Sequence, residues 1–195
     1  YLRTGGGHLA PARSVANYML NHFSDKAEPV LVDGFERTNG AVKYIIEDGY
    51  RKLQARGQFF YEFIYAFNKI PLFSGITCSL VSFFVKPFLK EIIIEHKPDK
   101  INIFHFFLIK PVMEIIKENK LPAKVFTIVT DPYTPHPIWF LQKKQNFIVF
   151  SKMLREKIEK MNISHNSIEH FPFILDSKFA SALPSEKVNE IKKEK

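Results

Sequence analysis

Two stretches of this chain hold residue types that could do chemistry. The first is Thr4-Gly5-Gly6-Gly7-His8, three glycines running into a histidine just ahead of a helical pattern. Glycine has no side chain, so backbone N–H groups at Gly5, Gly6 and Gly7 can come close to a ligand. A helix start adds free N–H donors and partial positive charge, which suits phosphate or another oxygen-rich group. The same field favours neutral imidazole at His8, the form that works as a general base. The second stretch runs from Thr130 to Phe140 and holds Asp131, His136 and the chain's one tryptophan, Trp139. Pro132, Pro135 and Pro137 stiffen it, so these side chains are fixed at little entropic cost. The tryptophan offers a flat face to a sugar ring or an acyl stem, and Asp131 or His136 could hold a hydroxyl. His105, near the end of a strand-like run, is a further candidate. Each has a plainer reading. A lone loop histidine often only bonds backbone, a strand histidine often only packs, and a proline-rich stretch can be a simple connection.

Those residues need elements to hold them. Leu9 to Phe23 repeats apolar residues at helical spacing, with Pro11 placed in the first turn. Val30-Leu31-Val32-Asp33 is predicted as a buried parallel strand, and residues 41–56 as a helical segment. Ile101 to Phe107, Lys124 to Thr130 and Phe147 to Phe150 are further strands. Val112 to Asn119 is a helix, Ser151 caps another that runs to about Met161, and Ile168 to Phe173 is an edge strand ended at Pro172. Alternation of strand and helix predicts an α/β fold, a Rossmann-like parallel sheet flanked by helices. Open sheets of this kind bind ligands at the carboxyl ends of their strands. His8, Asp33, His105 and the Asp131–Trp139 segment all fall there, which predicts one cleft.

The segment 59–94 is unusual. Phe59, Phe60, Phe63, Ile64 and Phe67 share a helical face, and Leu72, Phe73, Leu80, Phe83, Phe84 and Phe88 follow, punctuated by Lys69, Lys86 and Lys90. Aromatics beside lysines suit a membrane interface. They also suit an aromatic core, and exposure of the apolar face decides between the two. The longest uncharged run, Ile70 to Val85, falls short of the roughly 18–20 apolar residues of a membrane span.

At 195 residues the chain suits one domain. A formal charge of +8 points to an anionic partner, unless it only records a lysine-rich composition. With Cys78 as the sole cysteine there is no internal disulfide, which fits a reducing compartment. The histidines lack metal-ligand spacing, so no metal site is expected. The pattern Gly5-x-Gly7-x-x-Ala10 meets a loose dinucleotide fingerprint, but Asp33 lies further on than that fingerprint requires, and a P-loop lacks its Gly-Lys-Ser/Thr. A glycine-rich loop this close to Tyr1 predicts a first strand cut short and a longer parent protein.

In order and spacing these motifs resemble the N-terminal domain of the monogalactosyldiacylglycerol synthase family, which includes the bacterial processive diacylglycerol glucosyltransferases. The resemblance rests on Thr4-Gly5-Gly6-Gly7-His8 with Ala12, on Val32-Asp33, and on Lys97-Pro98-Asp99 before the strand that ends in His105. It continues in Thr130-Asp131 through His136-Pro137 to Trp139-Phe140, then Ser151 and Pro172. It implies the N-terminal half of a GT-B glycosyltransferase, with residues 1–184 as the acceptor- and membrane-binding domain. Residues 185–195 would be a tail leading to an absent UDP-sugar domain. It implies an inverting transfer of galactose or glucose from UDP-galactose or UDP-glucose to diacylglycerol, with His8 as base and no cofactor or metal. Gly5, Gly6 and Gly7 would lie near the acceptor or the donor phosphates. Asp131, His136, Trp139 and His105 would line the acceptor cleft, and Phe59, Phe60, Phe63, Phe67, Lys69 and Lys86 would touch the membrane. The expected partners are diacylglycerol, the UDP-sugar and an anionic membrane surface, with no nucleic acid, and the expected location is peripheral on the cytoplasmic face of a membrane. By itself the fragment is expected to be inactive. The alternative is a non-catalytic membrane-binding or regulatory module. Two positions depart from the family: Phe106 follows His105 where proline is common, and Phe171 precedes Pro172 where glycine is usual, at the interdomain hinge.

Overall fold

A computed structural model describes residues 1–3, 6–38, 40, 44 and 66–175. The ordered framework is a four-stranded parallel sheet in the order β1-β2-β3-β4, formed by Lys100–Ile103, Lys124–Ile128, Gln145–Val149 and His165–His170. Register runs from Lys100 opposite Lys124 and from Thr127 opposite Phe147; the β3–β4 pairing begins at Gln145 opposite His165 and shifts between Gln145 and Asn146. Parallel neighbours need a crossover of a dozen or more residues. Here α3 (Ile109–Glu118) joins β1 to β2, residues 129–144 join β2 to β3, and α4 (Lys152–Lys160) joins β3 to β4.

Side chains alternate across a strand, so the sheet feeds two cores. Ile103, Val129, Phe147 and Val149 enter the larger one with Val85 and Ile93 of α2 (Pro71–His96), Val112 and Ile115 of α3, and Leu154 and Ile158 of α4. Phe104, Ile128 and Phe150 enter the smaller one, against Ala12 and Val15 of α1 (Gly6–His22). The sheet is thus covered on both sides, the Rossmann-like arrangement predicted, and consistent with the N-terminal half of a GT-B enzyme.

Several sequence expectations need correction. α1 starts at Gly6, so Gly6, Gly7 and His8 belong to its first turn rather than to a loop before it. Pro11 sits beyond that turn and withholds the N–H that would bond Gly7's carbonyl. The predicted strand 30–33 is an extended segment outside the sheet, with Val30 and Leu31 exposed. It makes one parallel-type bridge, in which the Tyr1 nitrogen donates to the Val32 carbonyl and Gly34 N–H donates to the Tyr1 carbonyl. The strand expected to hold His105 ends at Ile103, and a 3-10 turn follows at Phe106–Leu108. A second 3-10 turn, Pro137–Phe140, was not foreseen. The predicted helix 41–56, apart from Tyr44, and the tail from Ser185 lie outside the described residues, as do Phe59, Phe60 and Phe63.

Candidate functional site

The carboxyl ends of β1 and β2 meet the start of α1, and His8 sits at that junction. Its Nδ1 lies 2.7 Å from the Phe104 carbonyl oxygen, just past β1, and 3.0 Å from Thr130 Oγ1, just past β2. A carbonyl oxygen only accepts, so Nδ1 carries the proton and donates it to Phe104. Neutral His8 then has its lone pair on Nε2, and no described residue bonds that atom. Burial lowers the His8 pKa from its ordinary value. The Phe104 hydrogen bond and the negative charge of Asp131 oppose the shift without cancelling it. The ring is therefore neutral at neutral pH, with the two opposing groups ready to steady a proton once it arrives.

His105 packs behind His8, with ring centroids 4.4 Å apart and the rings tilted by 59°. It is fully buried, and its pKa lies well below the ordinary value because burial penalises the charged ring and a charged His8 would repel it. Its Nδ1 accepts Phe107 N–H at 3.2 Å and caps the 3-10 turn. The proton must then be on Nε2, the tautomer opposite to that of His8. His136 repeats the device. Its Nδ1 accepts Ile138 N–H at 3.2 Å and caps the turn that carries Trp139. So the structure assigns both histidines a capping bond that residue type alone did not reveal. The clue was positional: each directly precedes a short apolar run that forms a 3-10 turn.

Trp139 is wholly buried, its ring centroid 6.1 Å from His8 and 5.5 Å from Phe106. Its indole Nε1–H donates to Asp131 Oδ2 at 3.0 Å. With no exposed ring face, Trp139 forms the wall behind His8 and orients Asp131, rather than offering a platform to a ligand. Asp131 itself is exposed. The loop carrying it is latched by Ser151 Oγ–H, which donates to the Pro132 carbonyl, while the same oxygen accepts Leu154 N–H at 3.1 Å as the cap of α4. Gln145 was missed from sequence. Buried in β3, its amide donates to the carbonyls of Trp139 and Gln142 at 3.0 and 2.9 Å, and its oxygen accepts the Thr127 hydroxyl at 2.6 Å. Gln145 opens β3 beside Asn146, ahead of the strand predicted at Phe147 to Phe150, so nothing in the sequence signalled its burial.

The structure brings His8, His105, Asp131 and Trp139 together with Thr130, Phe106 and the Phe104 carbonyl, His105 and Trp139 being fully buried. Asp33 instead accepts Phe35 N–H and pairs with Arg3 at 3.0 Å. Gly6 and Gly7 stand in the turn that bears His8, and a Cβ at Gly7 would meet nothing within 4 Å. Gly5 lies outside the described residues. Phe67 and Lys69 are exposed. Lys86 turns away from the surface assigned to it, towards Glu114 at 3.1 Å and Glu118 at 2.7 Å on α3. Among the described residues no group of three or more His, Cys, Asp or Glu could hold a metal ion.

A parallel α/β sheet flanked by helices, with a backbone-oriented histidine at the carboxyl ends of its strands, defines a Rossmann-like domain. Residues 8–172 match the family model of monogalactosyldiacylglycerol (MGDG) synthase, and the chain belongs to that family. It is also similar to the chloroplastic monogalactosyldiacylglycerol synthase 2 of Arabidopsis thaliana, 24% identical over 139 residues, which is 70% of this chain. The match spans only 30% of that relative's length. No solved structure matches.

Proposed function

We propose that this chain is the acceptor half of a glycosyltransferase that moves galactose or glucose from a UDP-sugar to diacylglycerol at an anionic membrane surface. The observation that supports it best is the 2.7 Å bond from His8 Nδ1 to the Phe104 carbonyl, which leaves Nε2 as the basic atom of a neutral ring. An alcohol is a poor nucleophile at neutral pH, and a positioned base typically supplies about 10²–10⁴-fold. In this reading His8 Nε2 takes the proton of the diacylglycerol hydroxyl as its oxygen bonds to the anomeric carbon. The bond from that carbon to the UDP oxygen breaks, the electron pair leaves with UDP, and the configuration inverts. The imidazolium so formed keeps its Phe104 bond and gains from the charge of Asp131. The UDP-sugar is held by a second domain, and no cofactor or metal takes part. Membership of the MGDG synthase family supports the glycolipid side of this reading.

The test is UDP release by the full-length protein from UDP-galactose and UDP-glucose, with and without diacylglycerol in vesicles, followed by the anomeric configuration of the product. Diacylglycerol-dependent release with inversion is expected. Release without acceptor, or a retained configuration, contradicts the proposal.

A further inference from the structure

α2 is a helix of 26 residues, long and apolar enough by length and composition to cross a membrane. Its packing argues against that. Val81, Val85, Leu89 and Ile93 are buried in the same core as Ile109, Val112 and Ile115 of α3. Lys86 is bound to Glu114 and Glu118 of that neighbour. A spanning α2 would have to leave this core and drag a charged cluster into hydrocarbon, which is costly.

The opposite side of α2 is also apolar, and nothing covers it among the described residues. Leu72, Ile76, Leu80 and Phe83 recur at intervals of four, four and three, and are 68%, 57%, 59% and 74% exposed. That spacing makes a single stripe. A helix apolar on both faces with only one face covered needs a second apolar environment. The charge around the stripe indicates which one. From Pro71 to Lys90 there is no Asp or Glu, and exposed Lys90 extends the same line one heptad beyond Phe83. An apolar stripe whose own helix carries lysine and no carboxylate before Glu91 complements an anionic lipid surface, although Lys110 at the neighbouring groove is already paired with Glu114 at 3.4 Å. Beside the stripe, an open groove of about 660 Å³ runs from Leu72, Ile76 and Leu80 to Lys110 and Leu141. Leu141 directly follows the turn that carries Trp139, whose ring centroid lies 6.1 Å from that of His8.

We propose that the stripe Leu72, Ile76, Leu80 and Phe83 is the face on which the protein lies in an anionic bilayer, with α2 in the membrane plane and not across it. This rests on the proposed membrane-surface function and adds the face and the orientation. It also moves the contact from Lys86 to the outward side of α2.

The experiment compares the full-length protein with the double variant Leu80→Asp, Phe83→Asp, using phosphatidylcholine vesicles containing about one-quarter phosphatidylserine. The partition coefficient should fall about tenfold for each apolar side chain lost. Thermal midpoint and turnover on a short-chain, water-soluble diacylglycerol should not change. If the thermal midpoint falls, the pair Leu72→Ser, Ile76→Ser probes the same stripe without adding charge. Undiminished partition in both variants overturns the proposal, as it would if residues 41–65 or a second copy covered the stripe instead. Protease access to both ends of α2 from opposite sides of sealed vesicles overturns the in-plane orientation. Vesicle binding is scored without turnover, so loss of the glycosyl-transfer reading leaves this outcome intact.

Discussion

Substitution of Thr130 by valine separates the two groups that touch His8 Nδ1. The exchange keeps shape and removes one hydroxyl at a nearly buried site. Of the two contacts, the Phe104 carbonyl is shorter, 2.7 Å against 3.0 Å, and it alone is obliged to accept. With Thr130 gone, Nδ1 still has its partner, so no buried donor is orphaned and the tautomer is unchanged. What is lost is one side-chain hydrogen bond that helps hold the ring, worth about 0.5–1.5 kcal/mol. Expressed fully in the transition state, that is roughly two- to tenfold in kcat. Thr130 carries no charge and the Phe104 bond and Asp131 charge stay in place, so the acid limb of the pH–rate profile should not move. The assay is initial-rate UDP release by the full-length protein across pH 5 to 9, a range chosen to bracket the ordinary histidine pKa of roughly 6.5. A loss as severe as that on removing His8 itself, or a displaced acid limb, refutes the reasoning. The hydroxyl rather than the backbone carbonyl would then be setting the proton on Nδ1.

Two further predictions concern stability. The folded pKa values of His8 and His105 are lowered by burial, His105 the more strongly. The unfolded chain takes up these protons near pH 6.5 and the folded chain does not, so stability is full above that value and falls as pH drops below it. The slope is up to about 1.4 kcal/mol per pH unit for each histidine, and urea titrations at pH 7.5 to 5 should show it flattened in His105→Asn, which can still cap the turn; a pH-independent midpoint contradicts the buried neutral pair. Lys97 ends α2 in the left-handed region, φ 44° and ψ 54°, with its N–H on the Ile93 carbonyl. A left-handed non-glycine residue costs about 1–2 kcal/mol and glycine's extra chain entropy about 0.5–1, so Lys97→Gly should stabilise by roughly 0.5–1 kcal/mol; a lower urea midpoint at unchanged slope contradicts this.

The parts of the fold that could be read from sequence were those where local and tertiary preferences agree. Lys124–Ile128 is β-branched and bounded by polar residues, and Ser151 caps α4 as expected. Where a local signal was overruled, the expectation slipped. Gly6 and Gly7 are poor helix formers, yet α1 begins on them because His8 is anchored to Phe104 and Thr130 across the sheet. Gly75 and Pro87 interrupt the helical pattern of α2, yet one helix runs through them from its start at Pro71, its inner face packed along α3. Val30 and Leu31 look like core strand but stay exposed, since among the described residues Val32 and Gly34 pair with Tyr1 and not with the sheet. His8, His105, Asp131 and Trp139 were singled out by residue type and placement, and the structure brings them together. Their roles were not, because a histidine's tautomer depends on which backbone atom each ring nitrogen meets, and the Asp131–Trp139 bond depends on how the loop folds.

The central claim, that His8 is the base, is tested most directly by turnover of the full-length His8→Ala variant alongside its vesicle partition. Turnover should fall by about 10²–10⁴-fold while partition stays at the parent value. Near-normal turnover, or a loss of turnover matched by an equal loss of membrane binding, would contradict it.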